Sequence, residues 1–184
     1  MPDGWPKITS RRTTRISQWL SIMERAVEFA PGAPPQIYHA VEQQDYIAIV
    51  ARTPDGRFPL VRQFRPALET FTWELPAGLV ERAEDPAEGC RRELLEETGL
   101  AAHTVHSLGA PAAACSGRLS NRIHSFFVET GERAADFAGE PGVISELVTS
   151  SELARMIKAG EFAQQLHLGA LLLAELRGFI KLPR

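Results

Sequence analysis

The chain has 184 residues, of which 44% are hydrophobic and 23% are charged, and its formal net charge at pH 7 is -3. This length and composition allow one domain of ordinary size with a substantial core, and they argue against disorder over most of the chain. A slightly acidic chain has no electrostatic footprint for nucleic acid, so a small molecule is the expected partner.

The cysteines and the apolar stretches bear on where the protein resides. Cys90 and Cys115 stand far apart in no metal or redox spacing, which fits a reducing compartment. The N-terminal part lacks the apolar core of a signal peptide, and the most apolar stretch, residues 168–176, is too short to span a bilayer. We therefore expect a soluble cytoplasmic protein with no membrane partner.

The N-terminal part of the chain is predicted to be a tail followed by strands. Residues 1–12 are polar and show no periodicity, which indicates a loose tail. Alternating apolar residues then predict strands over 14–29 and 36–42, separated by the turn-rich Pro-Gly-Ala-Pro-Pro of 31–35.

The remaining segments alternate strands with a few helices. Residues 45–52 and 58–65 are predicted to form a hairpin across the turn Thr53-Pro54-Asp55-Gly56. Further strands are predicted over 71–75, 103–108, 121–130 and 143–149. Helices are predicted over 86–98, about 151–159 and about 164–177. This pattern indicates a mixed α/β or α+β layered domain.

The most informative segment runs from Gly78 to Leu100 and reads GLVERAEDPAEGCRRELLEETGL. Asp85 can cap a helix, and Pro86 suits the first turn of that helix. Glu88 completes an Asp-x-x-Glu capping box, and Gly99 is a natural left-handed stop. These signals define both ends of the predicted helix.

Three carboxylates, those of Glu93, Glu96 and Glu97, fall within about a third of the circumference of this helix. In a cleft, carboxylates ~5–6 Å apart repel by roughly 3 kcal/mol and demand a cation, whereas a solvated acidic face does not. Carboxylates are hard ligands with no suitable Cys or His nearby, so the ion indicated is Mg²⁺ or Mn²⁺ rather than Zn²⁺. The metal interpretation is favoured because further residues accompany the glutamates at fixed spacings: Gly78, Glu84, Arg92 and Gly99.

The whole segment resembles the signature box of the Nudix hydrolases, and every defining position of that box matches. The resemblance implies an α/β/α sandwich around a mixed sheet over residues 43–184, preceded by an N-terminal antiparallel strand subdomain over 13–42. It also implies metal ligands and a supporting pair. The implied ligands are the carboxylates of Glu93, Glu96 and Glu97 with the backbone carbonyl of Ala77 or Gly78, and the implied supporting pair is Arg92 with Glu84.

The flanking segments are similar to the ADP-ribose pyrophosphatase branch of that family. The similarity is carried by LVRQFRP at 60–66, WELPAG at 73–78, HSFFVE at 124–129 and the stretch that starts at Arg12. It implies hydrolysis of a nucleoside diphosphate sugar, with ADP-ribose giving AMP and ribose 5-phosphate. Arg65 matches a phosphate-contacting position, and its planar fork suits a diphosphate. Further implied substrate contacts are Glu69, Trp73, Glu74 and Arg122, although Trp73 could equally be a core aromatic.

The branch also places a catalytic glutamate on a loop before the last strand of the sheet. The run Ala-Gly-Glu-Pro-Gly-Val at 138–143 makes Glu140 the best match, because two glycines and a proline mark a loop. Glu140 would take the proton of a water activated by Mg²⁺. Glu146 is the reserve candidate, and a solvated loop glutamate is the alternative.

One segment departs from the pattern and leaves other activities open. In CSGRLSNR at 115–122, Asn121 stands where an acid is usual, while Arg122 keeps its match. The alternatives are a Nudix pyrophosphatase for GDP-sugars, UDP-sugars or dinucleoside polyphosphates, and a non-catalytic nucleotide sensor. A complete box favours the enzyme. The five histidines show no ligand spacing, so each is expected to be structural or on the surface.

The N-terminal strands also predict an assembly. Residues 13–42 would expose unpaired backbone edges and apolar area outside a completed core. Pairing with a second chain satisfies both, so we expect a homodimer whose N-terminal strands cross between subunits, as the branch often does. The alternative is that these strands fold back on their own domain.

Overall fold

We describe the computed structural model of the chain over residues 4–139 and 141–183. The chain divides into two compact units. The N-terminal unit contains the residues up to Asp45 together with Ala113–Arg122, and the main unit contains Tyr46–Ala112 together with the residues from Ile123 onwards. The domain boundaries expected from the sequence stay a prediction.

The N-terminal unit contains an antiparallel sheet in the order β1–β2–β3. Its strands are β1 (Lys7–Arg15), β2 (Leu20–Glu28) and β3 (Gln36–Gln43). The loose tail expected over 1–12 is therefore wrong from Lys7 onward. Strand β1 is exposed along its whole length, and Ile8 is its single aliphatic residue, so it lacks hydrophobic alternation. It is held by backbone pairing with β2 and by an Arg12–Glu24 ion pair at 2.7 Å.

In the described part of the chain, the remaining strands lie wholly or partly in the main unit, which also contains the three helices. The strands are β4 (Tyr46–Arg52), β5 (Phe58–Arg65), β6 (Thr70–Glu74), β7 (Ala77–Leu79), β8 (Leu100–Ser107), β9 (Ala112–Ala113), β10 (Arg122–Arg133) and β11 (Val143–Val148). The helices are α1 (Pro86–Thr98), α2 (Ser150–Lys158) and α3 (Gln165–Leu176). Ala113 of β9 and Arg122 of β10 are assigned to the N-terminal unit. All three predicted helices are confirmed to within one residue at each end.

The strands of the main unit form two sheets. A mixed sheet has the order β7–β4–β10–β8, in which β4 and β10 are parallel and the other neighbours antiparallel. A three-stranded antiparallel sheet has the order β11–β5–β6. The predicted hairpin of residues 45–52 and 58–65 is thus wrong. Its turn forms, with the Thr53 N–H donating to the Arg57 carbonyl at 2.9 Å, but β4 is already paired on both edges.

Strand β4 is covered by a helix on each face. Ile47, Ile49 and Ala51 point to one side, where they pack in one cluster with Cys90 and Leu94 of α1. The alternate side chains point to the opposite side. Helix α3 packs there, and its His167 ring stacks on Tyr46 with 6.0 Å between centroids. This is the α/β/α arrangement expected from the sequence.

None of the three helices in the described part of the chain has the length and hydrophobicity needed to span a lipid bilayer.

Candidate active site

Both ends of helix α1 are fixed by the residues from which the helix was predicted. The Asp85 side chain accepts a hydrogen bond from the Ala87 N–H at 2.8 Å, and Gly99 ends the helix with a φ of 70°. Among the hydrogen bonds of the described residues there is none from the Asp85 N–H to the Glu88 carboxylate, as a capping box requires, and Glu88 instead lies 3.5 Å from Arg91 Nε. Cys90 and Leu94 of α1 pack into the core. Because this packing and both helix ends are fixed, the direction in which Glu93, Glu96 and Glu97 point is also fixed.

Arg92 is the centre of the charge network on α1. Its Nε lies 2.9 Å from Glu84 Oε1 and its Nη2 lies 3.0 Å from Glu84 Oε2, a bidentate pair. Its Nη1 donates to Glu93 at 2.7 Å and to Glu96 at 3.2 Å, and Nη2 also donates to the Leu79 carbonyl at 3.2 Å. The hydrogen bonds from Arg92 lower the pKa of Glu84. One guanidinium therefore ties the loop after β7 to the acidic face of the helix.

Glu97 and Glu93 reach the backbone of β7 in different ways. Glu97 is buried, and its Oε2 accepts a hydrogen bond from the Ala77 N–H at 2.9 Å. The Glu93 carboxylate lies directly over Gly78, where any Cβ would overlap with it. The missing side chain at Gly78 is thus what allows Glu93 to lie against this strand, next to the Ala77 backbone.

The donor set of this face fits a hard divalent cation, because it consists of carboxylate and carbonyl oxygens. The side chains are nevertheless not gathered around one point. Within 4–139 and 141–183, no group of three or more His, Cys, Asp or Glu side chains converges as metal ligands would. Arg92 Nη1 is shared by Glu93 and Glu96, and Glu97 faces the Ala77 N–H. A divalent cation would compete with Arg92 for the first two carboxylates.

A cleft of about 450 Å³ opens beside β6 in the main unit. Its lining includes Arg65, Thr70, Phe71, Thr72, Glu74 and Gln164. Arg65 forms a bidentate pair with Glu74, with N–O distances of 2.8 and 2.6 Å. Burial acts to raise the pKa of Glu74, but hydrogen bonds from Arg65 and Thr72 outweigh it and lower the net pKa. Arg65 also interacts electrostatically with Glu97, which links the cleft to α1.

Two predicted substrate contacts, Trp73 and Glu69, are not among the described residues that line this cleft. Side chains alternate along β6, so Trp73 points to the face opposite Thr72 and Glu74. On that face the Arg62 guanidinium lies 5.9 Å from the Trp73 ring, and Trp73 is not among the described residues that line the cleft. Glu69 is exposed in the turn between β5 and β6, with a φ of 53°. The structure brings Arg65 and Glu74 together and leaves these two apart.

Comparison with known proteins decides the family. The family model described as the NUDIX domain matches residues 42–166, which is more than half of the chain. The chain belongs to the NUDIX domain family. The segment from Gly78 to Leu100 is accordingly its Nudix box.

Individual Nudix relatives match over different lengths. The ADP-ribose pyrophosphatase of Bacillus subtilis is 35% identical over 89 residues, 48% of each chain, so this chain spans about half the length of that relative. The CMP-5'-(N-acetyl-N-hydroxy-3-aminopropyl)phosphonate hydrolase of Streptomyces rubellomurinus is 28% identical over 154 residues, 81% of this chain and 72% of that one. A crystal structure of an ADP compounds hydrolase superposes with a TM-score of 0.74 at 17% identity, covering 95% of this chain and 97% of that one. This last likeness concerns the fold alone.

The expected general base of the Nudix domain, Glu140, lies outside the described residues. Its neighbours Phe137, Ala138 and Gly139 line a groove together with Leu95 and Glu96 of α1. Residues 137–139, which precede Glu140, therefore lie near Glu96 on the acidic face of α1.

Two other predicted site residues, Glu146 and Arg122, belong to different units of the chain. Glu146 lies on β11, paired in register with Leu60 of β5. Arg122 belongs to the N-terminal unit, where its backbone N–H donates to the Asp45 carboxylate at 2.8 Å. The substrate role of Arg122 stays a prediction.

The sequence did not single out His167, a buried residue that lies near the Arg65–Glu74 pair of the cleft. His167 is completely buried, its Nδ1 lies 3.0 Å from the Leu75 backbone N, and its Nε2 lies 3.3 Å from the Tyr46 hydroxyl. A lone histidine in a helical segment carries no sequence signal for such contacts. It agrees with the expectation of a structural histidine.

A substitution at Gly78 tests whether catalysis depends on the position of the Glu93 carboxylate. In Gly78→Ala, the added Cβ displaces the flexible Glu93 carboxylate and leaves the backbone in place. We expect kcat to fall about 10- to 100-fold with little change in melting temperature, both measured on the same preparation. Gly169→Ala in α3 is the control, because its Cβ has open space. Unchanged kcat in Gly78→Ala would show that the position of Glu93 does not matter.

Proposed function

We propose that this protein is a metal-dependent hydrolase that cleaves the diphosphate linkage of a nucleoside diphosphate sugar, with ADP-ribose as the substrate. The products are AMP and ribose 5-phosphate. The observation that carries this proposal is the acidic face of α1, where Glu93 and Glu97 lie against β7 and Arg92 binds Glu93 and Glu96. The name of the Bacillus subtilis relative supports the choice of substrate.

Each group of the site has a part in the proposed chemistry. Bound Mg²⁺ or Mn²⁺ would neutralise phosphate oxygens and lower the pKa of an attacking water. The carboxylates of Glu93, Glu96 and Glu97 and the Ala77 carbonyl would hold the ion. Arg92 orients Glu93 and Glu96 through its hydrogen bonds.

The cleft beside β6 would hold the substrate. Arg65 keeps donor capacity beyond its pair with Glu74, because a guanidinium has five N–H groups, and it can contact a phosphate. Glu74 then sets the direction of Arg65. Leu68 and Thr70 on the cleft wall offer apolar and hydroxyl contacts to the nucleoside or sugar.

A screen of substrates tests the proposal directly. The candidates are ADP-ribose, UDP-glucose, GDP-mannose, a dinucleoside polyphosphate and a CMP conjugate, the last suggested by the Streptomyces rubellomurinus relative. Phosphate release with a coupled phosphatase is measured for each in the presence of Mg²⁺. We expect the highest kcat/KM for ADP-ribose. Preference for a GDP- or UDP-sugar would reject this substrate, and binding without turnover of any candidate would favour a nucleotide sensor.

The proposed base gives a second test. We expect Glu140→Gln to lower kcat by about 100-fold or more, with little change in Mn²⁺ affinity, because a general base moves a proton without holding the ion. The kcat comes from steady-state assays and the affinity from Mn²⁺ titration. Glu146→Gln is the matched variant. If it lowers kcat instead, Glu146 is the base.

The homodimer is a further part of the proposal. Its support is the exposed apolar surface of the N-terminal unit, which includes Ile16, Trp19 and Ile37, each more than half exposed. Light scattering at micromolar concentration should give twice the 20.3 kDa of one chain. The double variant Trp19→Ser with Ile37→Thr should shift this mass towards one chain. A wild-type mass of 20.3 kDa would end the dimer proposal.

A further inference from the structure

His167 holds one defined protonation state inside the main unit. Its Nδ1 accepts a hydrogen bond from the Leu75 N–H at 3.0 Å, so the ring proton belongs on Nε2. The Nε2–H then donates to the Tyr46 hydroxyl oxygen, 3.3 Å away. Burial lowers the pKa of His167 to about 4, so the ring is neutral near pH 7 and Nδ1 remains an acceptor.

The Leu75 N–H lies where the chain passes from one sheet to the other. Strand β6 ends at Glu74, and β7 begins at Ala77 in the mixed sheet. Pro76 has no N–H, and its carbonyl accepts from the Ile49 N–H at 3.0 Å. Leu75 is buried, so its N–H needs an acceptor inside the protein. His167 supplies that acceptor in place of a neighbouring strand.

This crossing segment lies between two parts of the candidate site. The residue before it, Glu74, holds Arg65 in the cleft. The residue after it, Ala77, donates its N–H to Glu97 at 2.9 Å. Any displacement of the Leu75 backbone therefore reaches both the cleft and the acidic face of α1.

We infer that His167 is a positioning residue that fixes the backbone from Leu75 to Ala77, and through it the Glu97 carboxylate. This inference rests on the proposed function for its catalytic consequence. Its structural part, the fixed backbone, can be tested without any substrate.

Two variants separate the hydrogen bond from the packing of the ring. His167→Phe keeps a flat ring but removes the acceptor. His167→Asn places its Oδ1 as many bonds from the backbone as Nδ1 and can accept from Leu75. Leu171→Ala, one turn further along α3 and also buried, is the control for lost packing alone.

The variants are compared by amide hydrogen exchange at Leu75 and Ala77 and by kcat and KM, below the melting temperature of each. We expect His167→Phe to accelerate exchange at both amides and to lower kcat about 10- to 100-fold with a smaller change in KM. His167→Asn should recover most of both effects, and Leu171→Ala should show neither. If the amide exchange rates of Leu75 and Ala77 are the same in His167→Phe as in Leu171→Ala, the inference is wrong. Absence of hydrolysis in the wild type would overturn only the proposed function, because the exchange measurement needs no substrate.

Discussion

We expect Glu97→Gln to lose hydrolysis of ADP-ribose while the protein stays folded. The glutamine keeps an oxygen that can accept from the Ala77 N–H, which Glu97 contacts at 2.9 Å, but it removes the negative charge that would hold a cation. We expect kcat to fall about a thousandfold, which is a barrier increase of ~4 kcal/mol. Steady-state kinetics give kcat, and circular dichroism checks the fold.

Glu88→Gln is the matched control for this variant. Glu88 lies on the same helix, is exposed and contacts Arg91 instead of β7. We expect its kcat to equal that of the wild type. If Glu97→Gln keeps more than about one tenth of the wild-type kcat, Glu97 does not hold an essential ion.

The second large effect is expected for Arg92→Ala, in both stability and activity. The substitution leaves Glu84 and Glu93, whose side chains are only 15% and 14% exposed, without their cation. We expect the free energy of unfolding to fall by about 2–4 kcal/mol and kcat to fall with it. Urea denaturation measures the first quantity and steady-state assays measure the second.

Two further variants, Arg92→Lys and Arg91→Ala, are the controls for Arg92→Ala. Arg92→Lys keeps the charge but cannot form the bidentate pair with Glu84, so we expect it to recover only part of the stability. Arg91→Ala removes a more exposed ion pair with Glu88 and should cost less than about 1 kcal/mol. Equal losses in Arg91→Ala and Arg92→Ala would contradict the central place given to Arg92.

Much of the site was predictable because its signals are local in sequence. The Asp85 cap, Pro86 and the Gly99 stop define α1 within one segment, and the helix period then places the three carboxylates on one face. Arg92 could be paired with Glu84 from the box alone. The left-handed φ of Gly99 is likewise a property that the glycine itself suggests.

The parts that sequence reasoning missed depend on distant contacts. Strand β1 has no apolar alternation and forms because β2 offers a partner. The expected hairpin fails because both edges of β4 are taken by β7 and β10, strands that lie far away in sequence. His167 meets Leu75 across 92 residues, a contact that no local pattern can indicate.

The face on which a side chain lies separates two of the predicted substrate contacts, and the substrate role of Trp73 stays a prediction. Trp73 and Glu74 are adjacent in sequence, and both were expected near the substrate. Adjacent residues of a strand point to opposite faces. Of these two residues, Glu74 lines the cleft, whereas Trp73 lies on the other face, where the Arg62 guanidinium packs on its ring. The strand period would have separated them once the segment had been placed in a sheet.

Analysis of the reaction products tests the claim that the protein cleaves a nucleoside diphosphate sugar with the help of a metal ion. The purified protein is incubated with ADP-ribose in Mg²⁺, and in a parallel sample with excess EDTA, and the nucleotides are separated by chromatography. We expect AMP and ribose 5-phosphate in equal amounts with Mg²⁺ and neither product with EDTA. Cleavage that persists in EDTA, or no cleavage of any nucleoside diphosphate sugar with Mg²⁺ or Mn²⁺, would contradict the claim.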